Sequence, residues 1–199
     1  GEDGATHAGI FDLTFLRCIP NLVIMAPSNE NECWQMLDFG YSYKGPVAIR
    51  YPRGNAPGVD INKETGDIEL GQAKILNRNE SSNIAILAFG SLFNIAEGVA
   101  SELNATLIDM RFIKPIDELL LEDLSKTHKL FVTVEENVIA GGAGSAVNEF
   151  VNANSLSVNI LNFGISDEFP VVGSPEDQKE ASNLSKEKLL TKIKAKLDR

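Results

Sequence analysis

The chain has 199 residues, 43% of them hydrophobic and 23% charged, and its formal net charge is -10. That charge argues against a nucleic-acid partner, because binding a phosphate backbone needs clustered cations. It also lacks any apolar run near the roughly 18 to 20 residues of a membrane span. The length admits one or two domains with a real core.

Cys18 and Cys33 are the only cysteines. They have neither metal-ligand spacing nor the number needed for a disulfide framework, so simple buried thiols in a reducing, intracellular setting are expected.

Residues 2–9 read as a loop, because glycines at positions 1, 4 and 9 weaken a helix and suit unusual turns. The loop sets Asp3 and His7 four residues apart, a carboxylate and an imidazole that would share a face if the segment were helical. Loops held on a rigid scaffold are where such pairs do chemistry. The chain starts at Gly1 without a basic or apolar leader, so a signal peptide is not expected. A functional-looking loop at residue one leads us to expect the C-terminal piece of something longer.

Residues 10–17 predict a short helix with Phe11, Phe15 and Leu16 on one side, broken at Pro20-Asn21. Leu22 to Ala26 is an apolar run of strand length without alternation, as in a parallel strand buried on both faces. Asn29 to Glu32 resembles a capping box, with Asn29 as N-cap and Glu32 reaching back. The helix it opens carries Cys33, Met36, Leu37 and Gly40 on one face and Trp34 off it. Gly45-Pro46 ends that helix, and Val47 to Tyr51 predicts the next strand, completing a right-handed βαβ unit. The strand runs into Pro52-Arg53-Gly54. Ligand sites in open α/β sheets lie beyond strand carboxyl ends, so the Asp3–His7 loop and Arg53 are expected to line one crevice. Arg53 offers a rigid fork for phosphate or carboxylate; Arg50, inside the strand, is the lesser partner.

From Asn55 to about Leu70, Asn, Pro, Gly and Asp interrupt any period, as in a linker. This divides the chain into a first domain over residues 1–58, a linker over 59–72 and a second domain over 73–199. The second part predicts strands at 73–76, 83–89, 105–110, 129–134 and 157–161. Helices are predicted to about Leu103 and Val151, and at 116–127, 175–181 and 186–197. Such alternation implies an α/β fold with a mostly parallel sheet and helices on both faces. His128 reads as a structural histidine at a helix end, and Glu135-Glu136 as paired surface glutamates, with a site beside the following glycine turn as the alternative. Gly141-Gly142-Ala143-Gly144-Ser145 lacks the third glycine and the later acid of a dinucleotide fingerprint, so close helix–sheet packing is its expected role. The lysines from Lys186 to Lys196 form a solvated helix face.

Two motifs, Asp3-Gly4-x-Thr6-His7 and Leu16-Arg17-x-Ile19-Pro20-Asn21, resemble the pyrimidine-binding domain of transketolase-type thiamine-diphosphate enzymes. Within that superfamily, Phe11-Asp12-Leu13, the run VIMAPSNENEC (23–33) and Arg50-Tyr51-Pro52-Arg53-Gly54 resemble the 1-deoxy-D-xylulose-5-phosphate synthases. GSLFNIAEG (90–98) and ENVIAGGAGSAV (136–147) extend the likeness more loosely into a transketolase C-terminal-like domain.

The resemblance implies decarboxylation of pyruvate on thiamine diphosphate and joining of the two-carbon unit to glyceraldehyde 3-phosphate, serving isoprenoid, thiamine and pyridoxal phosphate synthesis. It implies that His7 moves a proton or stabilises an alkoxide, that Asp3 orients His7 or bonds the acceptor's hydroxyls, and that Arg53 clamps the phosphate or carboxylate. It further implies a cytoplasmic homodimer with thiamine diphosphate and Mg2+ in the full-length enzyme. The upstream metal motif and activating glutamate of that family lie outside these residues, so the chain alone is expected to hold no cofactor and to be inactive. Two other readings stand beside it: a 2-oxo acid dehydrogenase β subunit or split transketolase, and a non-catalytic dimerisation or regulatory α/β module.

Overall fold

The computed structural model describes residues 7–62, 68–170 and 172–197. The first stretch carries α1 (Asp12–Arg17), β1 (Val23–Met25), α2 (Glu30–Ser42) and β2 (Val47–Ile49). After residue 68 come β3 (Lys74–Asn77), β4 (Ile84–Phe89), α3 (Phe93–Leu103), β5 (Thr106–Asp109), β6 (Phe112–Lys114) and α4 (Glu118–Ser125). They are followed by β7 (Leu130–Val138), α5 (Ala143–Ala153), β8 (Asn159–Ile165), α6 (Pro175–Ala181) and α7 (Lys186–Leu197).

The strands form a five-stranded sheet in the order β3-β5-β4-β7-β8 and a three-stranded sheet in the order β2-β1-β6. In the larger sheet β5, β4, β7 and β8 are parallel and only the edge strand β3 is antiparallel. Every residue of β4 is buried, and its alternation divides the core. Ile84, Ile86 and Ala88 face a cluster that includes α3 and α7 residues such as Val99, Leu189 and Ile193. Ala85, Leu87 and Phe89 face Leu13, Leu121, Leu124 and Val147 of α1, α4 and α5. Side chains of a strand point alternately to opposite faces, so an unbroken apolar run is what a sheet covered on both sides requires. This is the predicted architecture.

Three local expectations are corrected. Residues 112–114 were not predicted as a strand, yet β6 pairs antiparallel with β1, so the smaller sheet draws strands from both sides of the predicted linker. The last strand of the larger sheet runs over 159–165, four residues beyond the predicted end at Leu161. Cys18 is exposed rather than buried.

Asn29 caps α2 as expected, its side chain accepting from the Glu32 N–H at 2.9 Å. The Glu32 carboxylate does not reach back. It faces the Arg111 guanidinium at 2.8 and 2.9 Å, with both side chains buried, and accepts from Lys74 Nζ at 3.0 Å. Arg111 sits between β5 and β6 at φ +54°, a left-handed conformation that non-glycine residues seldom adopt. Its N–H is held by the Asp109 carboxylate at 3.1 Å, and Ser28 Oγ donates to the same carboxylate at 2.6 Å. The charged network, and not the cap alone, fixes α2 against the larger sheet.

Candidate functional site

β2 ends at Ile49, so Arg50 lies just past the strand. Its guanidinium is a knot between three segments: Nη2 donates to the Gly9 carbonyl at 2.7 Å and to the Glu136 carbonyl, and Nε faces Asp12 at 3.3 Å. Charge-assisted bonds of this kind hold geometry well. Arg50, set aside because of its place in a strand, therefore anchors the His7 loop to the end of β7.

Beyond that knot His7 and Arg53, both exposed, line one cavity of about 300 Å³ together with Gly9, Tyr51, Glu136, Pro170, Gln178 and Leu184. The structure thus brings together two of the three residues picked from sequence. Asp3 lies outside the described residues. A second cavity of about 600 Å³ adjoins the first and shares Arg53, Glu136 and Lys179 with it. Its lining also includes Asn29, Glu30 and Cys33 at the start of α2, and Ser91 and Asn94 after β4. In the larger sheet β4 and β7 are neighbours whose connections leave in opposite directions. Ligands of doubly wound sheets bind at the carboxyl ends of such strands, and Ser91 and Glu136 sit there, Ser91 Oγ donating to Glu136 Oε2.

The paired-glutamate reading needs correction. Glu135 is fully buried, and its carboxylate accepts from the Ala143 and Gly144 N–H groups, both at 2.7 Å, at the N-terminus of α5. The signal for this was present in the chain as an acid at a strand end, a few residues before a glycine-opened helix. The glycines are required by close approach. A Cβ on Gly142 would collide with the Glu135 carboxylate and stand 2.6 Å from the Val138 carbonyl; one on Gly141, at φ +73°, would meet Thr14 at 2.8 Å. α1 completes the arrangement, with Arg17 donating to the Gly141 and Gly142 carbonyls at 2.7 and 3.0 Å and pairing with Glu149 at 2.6 Å. The Leu16-Arg17 motif therefore locks the first segment onto the glycine turn.

Burial pushes the Glu135 pKa up to about 7, against the pull of the two helix N–H groups and of Arg50 and Arg17. The folded protein thus holds a proton that the unfolded chain releases above its ordinary value of 4.5. Stability from this group is full below that value and falls as pH rises towards 7. We expect Glu135→Gln to remove that slope: the stability difference between wild type and variant should shrink by on the order of 3 kcal/mol from pH 4.5 to 7. Urea unfolding at a series of pH values measures it, and parallel curves would refute it.

His128 is buried between Thr106, at 2.7 Å, and the Leu124 carbonyl, at 3.1 Å. Desolvation lowers its pKa, which fits the structural role expected of it. Among the described residues, no group of three or more His, Cys, Asp or Glu is placed to hold a metal ion, and no helix is long and apolar enough to cross a membrane.

Residues 71–189 match the family described as transketolase, C-terminal domain, and residues 1–59 match the transketolase pyrimidine binding domain. The chain is 54% identical over 178 residues to a 1-deoxy-D-xylulose-5-phosphate synthase of Pectobacterium atrosepticum, covering 89% of this chain and 28% of that protein. It is 51% identical over 202 residues to the synthase of Colwellia psychrerythraea, covering 98% of this chain and 32% of that protein. It thus spans about three tenths of the length of these curated relatives. Among solved structures, a split gene transketolase described as an inactive beta4 tetramer superposes with a TM-score of 0.80 at 26% identity, covering 96% of this chain and 63% of that one.

Proposed function

Since the chain belongs to the transketolase family, we propose that it is a portion of a 1-deoxy-D-xylulose-5-phosphate synthase, carrying the end of the pyrimidine-binding domain over residues 1–58, a linker over 59–72 and the C-terminal domain over 73–199. The longer protein condenses pyruvate, with loss of CO2, and glyceraldehyde 3-phosphate, and works as a cytoplasmic homodimer with thiamine diphosphate and Mg2+. The observation that carries this reading is the meeting of His7 and Arg53 in one cavity at the end of β2.

The diphosphate-anchoring metal motif that the family resemblance implies has no counterpart in this sequence. We assign thiamine diphosphate to the remainder of the longer protein. The chain's own residues act on the acceptor. His7 exchanges a proton with the aldehyde oxygen of glyceraldehyde 3-phosphate as that carbon is attacked, a general acid role. Arg53 holds the acceptor phosphate through a two-pronged, charge-assisted contact, and Asp3 orients His7 or bonds the acceptor's hydroxyls. Arg50 takes no part in the chemistry and keeps the loop in place through the Gly9 carbonyl.

The deciding experiment is an assay of the full-length protein with pyruvate, glyceraldehyde 3-phosphate, thiamine diphosphate and Mg2+. CO2 release together with 1-deoxy-D-xylulose 5-phosphate is the expected result, whereas ketol transfer between sugar phosphates would favour the split-transketolase reading. In the same assay, Arg53→Ala is expected to raise the KM for glyceraldehyde 3-phosphate by about tenfold or more, since a hydrogen bond to a charged group contributes roughly 1.5–3 kcal/mol. An unchanged KM would remove Arg53 from the site.

A further inference from the structure

A flexible joint separates His7 from the anchored start of α1. Gly9 is exposed, and a Cβ built on it would meet nothing within 4 Å. Glycine also has the widest choice of backbone conformations. Just past the joint the chain is fixed, because Ile10 is buried and its carbonyl accepts from the Val138 N–H at 2.9 Å. What restrains the joint itself is the bond from Arg50 Nη2 to the Gly9 carbonyl at 2.7 Å.

Arg50 has a long side chain with many rotamers, and the carbonyls of Gly9 and Glu136 that it meets are neutral. The full opposite charge comes from Asp12, whose Oδ2 lies 3.3 Å from Nε and which is the one ion-pair partner of Arg50 among the described residues. Because the guanidinium is planar and rigid, a carboxylate at Nε fixes the direction in which Nη2 points. Both ends of this pair stand on fixed backbone. Leu13, next to Asp12, is buried, the Phe11 ring docks edge-on against Phe169 with centroids 5.7 Å apart, and the Arg50 N–H donates to the Met25 carbonyl at 2.9 Å.

Asp12 holds this place at a cost. Its Oδ1 is buried and takes no hydrogen bond among the described residues, an expensive state for a polar atom. An acid in the first turn of a helix commonly serves the helix itself, but α1 receives no side-chain cap. Nor does Asp12 line either cavity.

We propose that Asp12 is a positioning residue for His7: its carboxylate aims the Arg50 guanidinium at the Gly9 carbonyl, and that bond sets where the imidazole stands in the cavity. This rests on the synthase reading and on the proton-transfer role given to His7 above.

The test is steady-state kinetics on the full-length holoenzyme, with Asp12→Ala made in the wild type and in His7→Ala. In the wild type the substitution is expected to lower kcat by about 10- to 100-fold, the scale that misplacing a reacting group by about an ångström carries, with the KM for pyruvate unchanged. In His7→Ala it should alter kcat by less than about twofold, because there is no imidazole left to misplace. Asp12→Asn, which keeps the shape and removes the charge, serves the same arms should the alanine variant fail to fold. Glu187→Ala, which removes an exposed acid from the first turn of α7, should behave as wild type. An unchanged kcat for Asp12→Ala, or an equal fall with and without His7, overturns the proposal. If His7→Ala lowers kcat and Asp12→Ala does not, this inference alone fails; a wild-type enzyme making no 1-deoxy-D-xylulose 5-phosphate removes the synthase reading itself.

Discussion

Replacing His7 by alanine in the full-length protein is expected to lower kcat with pyruvate and glyceraldehyde 3-phosphate by about 10²- to 10⁴-fold, the range a positioned acid or base contributes. His7 is exposed and lines the cavity that Arg53 also lines, and it belongs to none of the core clusters, so its removal should leave the circular dichroism spectrum intact. The loop beside it is held by Arg50 through the Gly9 carbonyl at 2.7 Å, and that bond does not depend on the imidazole. Loss of turnover with folding preserved is therefore the signature of chemistry at His7. A fall of less than about tenfold would deny it a proton-transfer role. A rise in the KM for glyceraldehyde 3-phosphate at unchanged kcat would make it a binding residue instead.

Arg111→Met carries the largest expected cost in stability. It leaves Glu32, 2% exposed, with Lys74 as its one cationic partner among the described residues. Breaking a buried pair by removing one member typically costs about 3–5 kcal/mol, because the remaining charge is uncompensated. Burial works against the charged form of Glu32, yet the hydrogen bond and charge of Arg111, with Lys74, hold its pKa below 4.5. A carboxylate held low contributes stability that is present above its unfolded pKa and is lost as pH falls through the folded one. The cost of Arg111→Met should accordingly be full at pH 7 and shrink as pH falls below 4.5 towards 3. Urea unfolding at both pH values reads this directly. The double substitution Glu32→Leu/Arg111→Met should recover much of the loss, since apolar replacement of a whole buried pair is often near neutral. An equal cost at both pH values would mean that Arg111 matters only for the backbone between β5 and β6.

The same pair explains why β6 escaped detection in the sequence. Phe112-Ile113-Lys114 is too short to carry a period, and what makes it a strand is its delivery to β1 by the turn at Arg111. That turn depends on Asp109, Ser28 and Glu32, residues up to 81 positions apart in sequence from one another. Glu135 was misread for a similar reason. Two adjacent acids ordinarily mark a solvated surface, and only the approach of α5 turns one of them into a buried helix cap. Arg50 likewise reads as a strand residue until Gly9 and Glu136 are brought to it.

By itself the sequence determined the alternation of strands and helices, the burial of both sheet faces and the crevice residues His7 and Arg53. These follow from local signals: apolar runs of strand length, a capping asparagine, glycine turns, and motifs whose residues lie within a few positions of each other. The tertiary structure alone decided that β6 joins the smaller sheet, that Glu32 pairs with Arg111 and that Arg50 ties Gly9 to Glu136. Each of those depends on contacts between distant segments, whose partners are chosen by the packing of the whole core, and charged side chains take their partners only after that core is in place.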